Sequence, residues 1–271
     1  MSFQSGQATE FREKDGVAVL SRAFRKVGRP VALVPLGAGI HAGHLAMVRA
    51  AKRIPTAIVI VAVEEGVDIS PLKEEQVDAV FFYNEEILWP HGQRTLVQPP
   101  SHQMEDARGL ALELTERVAL VNMVQPSDVF FGEKDFELLI ATQHAFNDLH
   151  ISSRIHGVPT VRMPDGLAIS LRNTTVSEAA HDQALVLSAA LTAGAYAAED
   201  GAEKVIEVAT SVLTAAGITP EYLELRGLDL GQAPVEGNAR LFIAAEVGGV
   251  RLIDNAGVPV GIGFRNLGEQ E

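Results

Sequence analysis

Two short segments of this 271-residue chain carry side chains suited to binding phosphate. Residues 41–44 read His-Ala-Gly-His, and residues 132–135 read Gly-Glu-Lys-Asp. Each lies where a buried strand is predicted to end and a helix to begin, and the N–H groups and partial positive charge of a helix N-terminus attract anions. Residues 170–173 add the guanidinium of Arg172. Together the three segments predict a site for the phosphates of a nucleoside triphosphate.

The residue types in these segments indicate what each side chain would do. His41 and His44 are three positions apart, so they share one face at the start of a helix, where an imidazole can donate to a phosphate oxygen. Lys134 offers a point charge, and Arg172 offers a planar fork that can bond two phosphate oxygens. Structural alternatives stay open, because histidines can also cap a helix and a lysine at a helix start is commonly a solvated charge.

An alternation of strands and helices must position these segments. Short apolar runs predict buried parallel strands, and helical periodicity between them predicts crossover helices. The predicted strands cover residues 31–34, 57–63, 77–82 and 129–131, with another at 95–98, and the predicted helices cover residues up to 27, 41–53, 73–76, 104–124 and 134–149. This alternation indicates an α/β domain with a parallel sheet, whose carboxyl edge is where such folds bind ligands. Both phosphate-attracting segments fall at that edge.

The pattern changes after residue 173. Ala-rich helices are predicted at residues 177–200 and 203–216, and strand-like runs follow at 222–226, 241–247 and 250–253. Helices followed by a small, antiparallel sheet indicate an α+β domain. We therefore predict two domains, residues 1–176 and 177–271, with the boundary near Val176.

The composition limits the function classes. A hydrophobic content of 47% and a charged content of 21% are typical of a soluble globular protein. The net charge of −13 argues against nucleic acid or an anionic membrane as the main partner. Cysteine is absent, which excludes a disulfide, a thiol nucleophile and a cysteine-ligated zinc. No apolar run reaches a membrane-spanning length and the polar N-terminus lacks a signal-peptide core, so we expect a cytoplasmic protein with no membrane partner.

Longer runs of the chain resemble the pantothenate synthetase (pantoate–β-alanine ligase) family. The resemblance extends from about residue 31 to 255 and is densest between 124 and 173. Residues 41–44 look like the H-x-G-H nucleotide motif of that family. The other matching runs are residues 124–126 (VQP), 132–136 (GEKDF), 157–162 (GVPTVR), 164–168 (PDGLA), 170–173 (SLRN) and 251–255 (RLIDN).

This resemblance implies an architecture and a reaction. It implies a Rossmann-like, nucleotidyltransferase-type ATP-binding domain over residues 1–176, a C-terminal lid over 177–271, and a homodimer. It also implies an acid–amine ligase that uses ATP with Mg2+. In the implied reaction the carboxylate of pantoate is first adenylated with release of pyrophosphate, and the amine of β-alanine then attacks the acyl-adenylate and displaces AMP.

The resemblance also assigns roles to residues. His44 takes the acid–base role, and His41, Lys134 and Arg172 are the other catalytic residues. Asp135 is expected to accept hydrogen bonds from the ribose, Val161 to offer its backbone to adenine, and Ser170 to contact phosphate. The remaining expected ATP contacts are Gly37, Ala38, Gly39, Ile40, Gly43, Gly132, Glu133, Ile169 and Leu171.

The positions expected to bind the acid substrate depart from the family pattern. Glu65 and Asp68 fall where the family has the asparagine and glutamine of an Asn-Pro-x-Gln-Phe loop, and a second pantoate-binding glutamine falls on Leu138. A primary amide both donates and accepts hydrogen bonds, whereas an ionised carboxylate only accepts and leucine does neither. Residues 35–38 and 104–108 depart from the family as well. These changes predict weakened pantoate binding or a different acid.

Three functions stay open from the sequence. The first is ATP-dependent ligation of pantoate to β-alanine. The second is adenylation of a different small carboxylic acid by a divergent paralogue. The third is a non-catalytic, nucleotide-binding homologue, because a fold and a partial motif do not determine an activity. Exchange of pyrophosphate into ATP, driven by pantoate, by another acid or by none, distinguishes the three.

Overall fold

The structure is a computed structural model that describes residues 3–263 of the chain. These residues divide into two compact units. The first unit comprises residues 3–133 and 137–161, and the second comprises residues 134–136 and 162–263. The second unit thus begins earlier than the boundary we predicted near Val176. It begins at Arg162 because that residue forms a bridge with Ala168 and an ion pair with Asp254, both within the second unit.

A parallel sheet forms the centre of the first unit. Among the described residues it has six strands in the order β1-β4-β3-β2-β5-β6, and every neighbouring pair is parallel. The strands are β1 (Thr9–Phe11), β2 (Val31–Gly37), β3 (Ile58–Glu64), β4 (Ala79–Tyr83), β5 (Asp128–Gly132) and β6 (Arg154–Val158). Residues of β3 are buried from Ile58 to Val63, as expected for a strand covered on both faces. The predicted α/β class is therefore confirmed.

Helices connect these strands and cover the sheet. They are α1 (Lys14–Lys26), α2 (Ala42–Ala51), α3 (Ser70–Glu74), α4 (Glu85–Leu88), α5 (Ala107–Val124) and α6 (Phe136–Asp148), the last preceded by a 3₁₀ turn at Glu133–Asp135. The ends of α5 follow from its sequence. Asp106 caps its first turn by accepting from the Gly109 N–H at 2.6 Å, and Gln125 ends it in the left-handed region, directly before Pro126.

Two sequence-based element predictions need correction, and one strand was missed. Residues 9–11, which we placed in the N-terminal helix, form β1 beside β4, and a strand this short has no detectable periodicity. Residues 95–98, predicted as a strand, have no regular secondary structure in the described chain, and the Val97 N–H donates to the Thr115 hydroxyl at 2.9 Å. Strand β6 was not predicted, because its edge position leaves most of its residues partly exposed and gives no apolar run.

The second unit packs two helices on an antiparallel sheet. Helices α7 (His181–Tyr196) and α8 (Ala202–Ala215) precede the strands β7 (Tyr222–Gly227), β8 (Gly237–Val247) and β9 (Val250–Val260). The three described strands lie in the order β7-β8-β9, and a two-residue turn joins the last two. Gly248 and Gly249 occupy that turn with φ values of +58° and +78°, a conformation that favours glycine. This arrangement confirms the predicted α+β class.

Candidate active site

The turn between β2 and α2 presents two imidazoles at a helix start in the first unit. Gly37 ends β2 with φ +71°, where the pairing with β3 shifts register, and the chain then enters α2 at His41. His41 is the N-cap, and its Nδ1 accepts a hydrogen bond from the Gly43 N–H at 3.1 Å. The His44 ring stacks on the His41 ring, with centroids 3.6 Å apart and planes 20° apart.

The cap determines how the proton of His41 is arranged. A ring nitrogen that accepts a hydrogen bond carries no proton, so the neutral imidazole holds its proton on Nε2, where it can be donated. The capping alternative raised from the sequence is therefore correct for His41. It is compatible with a phosphate role because the two functions use different ring nitrogens.

Strand order brings the two phosphate-attracting segments to neighbouring strands. The chain runs outward from β2 through β3 to β4 on one side, whereas β5 pairs with the other side of β2 and is followed by β6. The order of the sheet therefore reverses between β2 and β5, and ligands of open α/β sheets bind at the carboxyl ends of strands at such a point. A Cβ built at Gly132, the last residue of β5, would lie 3.8 Å from Sδ of Met47 in α2. The end of β5 thus contacts the helix that begins with the two histidines.

Other predicted ATP contacts of the first unit follow the ends of β2, β5 and β6. Ala38, Gly39 and Ile40 form the turn after β2, and Gly43 lies in the first turn of α2. The Glu133 carboxylate lies against β6, since a Cβ built at Gly157 would be 3.0 Å from its Oε1. Val161, half-buried, ends the first unit after β6.

The segment with Lys134 belongs to the second unit. Lys134 is half-buried and its carbonyl accepts a hydrogen bond from Nδ2 of Asn255 at 2.7 Å. The Phe136 ring lies 5.9 Å from that of Phe242, and the Arg240 guanidinium lies 3.9 Å from the Phe136 ring centroid. Asp135, the predicted ribose ligand, is exposed.

The loop with Arg172 also lies in the second unit. Ser170 is buried and its hydroxyl accepts from the Asn173 N–H at 3.1 Å, while the Asn173 side chain donates to the Ala168 carbonyl at 2.5 Å. These bonds fold residues 168–173 into a compact turn on which Arg172 is exposed. Ile169 and Leu171 flank Ser170 in the same turn, Ile169 partly buried and Leu171 exposed.

An aspartate–histidine pair precedes this turn. The Asp165 carboxylate accepts from the Leu167 N–H at 3.0 Å and pairs with Nε2 of His181 at 2.9 Å. The hydrogen bonds from the Leu167 N–H and from His181 hold the pKa of Asp165 below its usual range. An ionised Asp165 therefore connects the loop to the start of α7.

The positions predicted for the acid substrate have other local partners. Glu65 is exposed and its carboxylate pairs with Arg12. Asp68 is exposed and accepts from the N–H and the hydroxyl of Ser70, at 3.0 and 2.7 Å, at the start of α3. These hydrogen bonds, and above all the one from the Ser70 N–H, lower the pKa of the Asp68 carboxyl. Leu138 is buried in α6 with 3% of its surface exposed.

A half-buried acid near the carboxyl edge of the sheet was not found from the sequence. Tyr83 ends β4, and its hydroxyl donates to Oε1 of Glu116 in α5 at 2.7 Å. Burial, together with the neighbouring Glu64 and Glu113 carboxylates, raises the pKa of Glu116 above its usual range. No short motif could have indicated this pair, because its members are far apart in the chain.

A second acid, which is buried, connects the loop before α5 to the start of α6. The Glu137 carboxylate accepts from the Glu105 N–H at 3.0 Å and lies 3.4 Å from Nδ1 of His102. Burial raises the pKa of Glu137. In the described part of the chain no three His, Cys, Asp or Glu side chains gather as a metal cluster. No helix of residues 3–263 is long and apolar enough to cross a membrane.

Comparison with known proteins identifies similar chains along nearly the whole length. The family model described as Pantoate-beta-alanine ligase matches residues 63–257. The pantothenate synthetase of Corynebacterium jeikeium is 43% identical over 294 residues, covering 98% of this chain and 95% of that protein. That of Mycobacterium avium is 40% identical, covering 94% and 90%. The crystal structure of pantothenate synthetase from Thermus thermophilus has a TM-score of 0.77 at 29% identity, covering 92% of this chain and 98% of that chain.

Proposed function

The chain belongs to the pantoate–β-alanine ligase family, and we propose that it joins pantoate to β-alanine with ATP bound at the carboxyl ends of β2 and β5. One observation carries the position of this site. His41 and His44 stack at the start of α2, beside the point where the strand order reverses. That point is where open α/β sheets bind their ligands.

The first step transfers the adenylyl group to the acid. A carboxylate oxygen of pantoate attacks the α-phosphorus, and the bond from that phosphorus to the bridging oxygen breaks, so its electron pair leaves with pyrophosphate. Negative charge grows on the bridging oxygen, where a donated N–H stabilises it. We assign this donation to His41, whose cap places the neutral ring's proton on Nε2. We assign the acid–base role to His44, stacked on it.

The second step forms the amide. The neutral amine of β-alanine attacks the carbonyl carbon of the acyl-adenylate, the C–N bond forms, and the C–O bond to AMP breaks. The attacking nitrogen loses a proton, which His44 can accept as the general base. Lys134 and Arg172 are assigned to phosphate oxygens throughout, Lys134 as a point charge and Arg172 as a fork.

The remaining assignments follow the same proposal. The backbone of the turn after β2 approaches the phosphates, Asp135 accepts from the ribose, and Val161 offers its backbone to adenine. Contacts from Gly132, Glu133, Ile169, Ser170 and Leu171 complete the nucleotide site. Mg2+ accompanies ATP, and its proposed ligands are phosphate oxygens, because Mg2+ commonly binds through substrate phosphates and keeps several waters. We further propose a cytoplasmic homodimer.

The acid pocket is proposed to differ from that of the relatives. The Ser70 hydrogen bonds keep Asp68 ionised, and an ionised carboxylate near an acid substrate repels it and offers no donor. We therefore expect weak pantoate binding through Glu65, Asp68 and Leu138. A different small carboxylic acid is the second candidate substrate, and this same Asp68 geometry is the observation that favours it.

Pyrophosphate exchange tests the proposal. Pantoate should drive exchange of labelled pyrophosphate into ATP, and adding β-alanine should give AMP and pantothenate in equal amounts. His44→Ala should abolish exchange while the protein still folds. Exchange with another acid but not with pantoate would replace the substrate and keep the site. No exchange with any acid in a broad panel, in the presence of Mg2+, would reject the ligase.

A further inference from the structure

Strand β9 carries a buried polar pair that the proposed reaction does not yet use. Asp254 and Asn255 are only 6% and 4% exposed. The Asn255 side chain donates from Nδ2 to the carbonyl of Lys134 at 2.7 Å. A polar side chain this deeply buried is costly unless it is hydrogen-bonded. Its bond therefore anchors the main chain at the residue that we assign to the phosphates.

Arg162 connects the same strand to the second cation-bearing segment. Its guanidinium forms a two-pronged ion pair with Asp254, Nη1 to Oδ2 at 2.6 Å and Nη2 to Oδ1 at 2.9 Å. Nη1 also donates to the Gly166 carbonyl at 3.2 Å, and Nη2 donates to the Asn255 carbonyl at 3.3 Å. Five donors in a fixed plane allow one arginine to make all four bonds.

The Arg162 contacts extend to the turn that presents Arg172. The backbones of Arg162 and Ala168 form an isolated antiparallel β-bridge, and the Ala168 carbonyl accepts a hydrogen bond from the side chain of Asn173. Residues 162–173 are therefore connected to β9 at one end by the Arg162–Asp254 ion pair. At the other end, hydrogen bonds among residues 168–173 hold them in a turn. Both connections lie within the second unit.

We propose that Asn255, Asp254 and Arg162 are positioning residues of the ligase reaction. Asn255 fixes the backbone of Lys134, and the Asp254–Arg162 pair fixes the loop that carries Arg172. A single strand, β9, therefore determines the positions of both cationic side chains. This inference rests on the proposed function, since it requires Lys134 and Arg172 to bind the phosphates. A displacement of about 1 Å in such groups can cost about 10²-fold in rate.

The test uses two variants and a matched control. Asn255→Asp keeps the shape of the side chain but removes the donor to Lys134, and Arg162→Lys keeps the charge but removes the fork. Arg251→Gln is the control, because Arg251 lies on the same strand but pairs with the exposed Glu221 at 2.6 Å. Rates of pantoate-dependent exchange, the KM for ATP and the thermal midpoint are measured for each full-length protein.

We expect the two variants to lose about tenfold to a hundredfold in kcat, with a smaller change in the KM for ATP. The control should retain the wild-type kcat. A kcat at the wild-type level in both variants would overturn the proposal. If Asn255→Asp fails to fold, Arg162→Lys still decides the outcome.

A double-mutant cycle separates positioning from a structural role. Lys134→Ala removes the amine but keeps the carbonyl that Asn255 binds, so the buried hydrogen bond survives. If Asn255 acts through the amine, Asn255→Asp should cost less than about twofold in the Lys134→Ala background. An equal cost in both backgrounds would mean a merely structural role and would overturn the proposal.

The same data separate this inference from the proposed function. A wild-type protein that turns over, with Lys134→Ala impaired and Asn255→Asp unimpaired, rejects positioning alone. A Lys134→Ala variant that keeps the full rate rejects the phosphate assignment of Lys134 and positioning by Asn255 with it. A wild-type protein that shows no exchange activity with any acid in the panel rejects both.

Discussion

Replacing His41 with asparagine should separate helix capping from catalysis. His41 caps α2 through Nδ1, at 3.1 Å from the Gly43 N–H, and is proposed to donate to the phosphates through Nε2. Asparagine is among the best N-cap residues and its side-chain oxygen can accept the same bond. It is too short to replace the distal ring nitrogen. His41→Asn therefore keeps the cap and removes the donor, whereas His41→Ala removes both.

The expected sizes follow from the contacts. His41 makes its cap bond from a half-buried position, so the loss of that bond in His41→Ala should cost about 1 kcal/mol of stability. For a domain of this size, that shifts the thermal midpoint by about 2–4 °C. His41→Asn should stay within about 1 °C of the wild type on the same scale. Removing one donor to developing charge should cost about 10²–10³ in kcat for both variants.

Two assays on the same preparations decide this prediction. Thermal unfolding by circular dichroism gives the midpoints, and pantoate-dependent pyrophosphate exchange gives kcat and the KM for ATP. His41→Asn with wild-type stability and strongly reduced kcat is the expected result. Wild-type turnover in His41→Asn would show that His41 serves only as a cap. Equal midpoints for the alanine and asparagine variants would refute the stabilising role of the cap.

Three further predictions concern buried and ionised carboxyl groups. Although burial raises the pKa of Asp128, its bonds to His156 and neighbouring groups outweigh burial and lower it. The ionised Asp128 should therefore contribute fully to stability above the unfolded-state pKa of about 4, and this contribution should be lost as the pH falls further. Urea unfolding should show a smaller loss of the free energy of unfolding at acid pH in Asp128→Asn than in the wild type. Because the pKa of Glu116 is raised, its ionisation opposes folding as pH rises, so Glu116→Gln should increase the free energy of unfolding at neutral pH and flatten its pH dependence; an unchanged slope would contradict this. Asp68→Asn keeps an acceptor for Ser70 and removes the charge, so the KM for pantoate should fall while the KM for ATP stays constant, and an unchanged KM for pantoate would exclude Asp68 from the acid pocket.

The sequence predicted the parts of the fold whose cause is local. The runs at Val31–Gly37 and Ile58–Glu64 are buried on both faces, so their composition alone indicates parallel strands. Strand β6 and the three-residue β1 depend on pairing with a sheet edge, which no local pattern records. Residues 95–98 have the composition of a strand, but Val97 donates to a helix side chain instead of a neighbouring strand. Tertiary contacts decided these segments.

The same distinction applies to the candidate site. His41, His44 and the turn after Gly37 were predicted because their chemistry and their place in a strand–turn–helix unit are contiguous in sequence. The half-buried Glu116 was missed because its environment comes from Tyr83 on another element. The bond from Asn255 to the Lys134 carbonyl joins residues far apart in the chain. The acceptor, moreover, is a main-chain carbonyl, which every residue type carries, so no sequence pattern could indicate it.

The geometry of His41 shows why the structural and catalytic explanations of a histidine need not compete. An imidazole has two nitrogens, and the one that caps α2 must be unprotonated to accept from Gly43. The cap thereby fixes the tautomer whose other nitrogen can donate, so a residue that begins the helix also prepares the donor. Capping is therefore compatible with the proposed phosphate role of His41, on whose ring the His44 ring stacks.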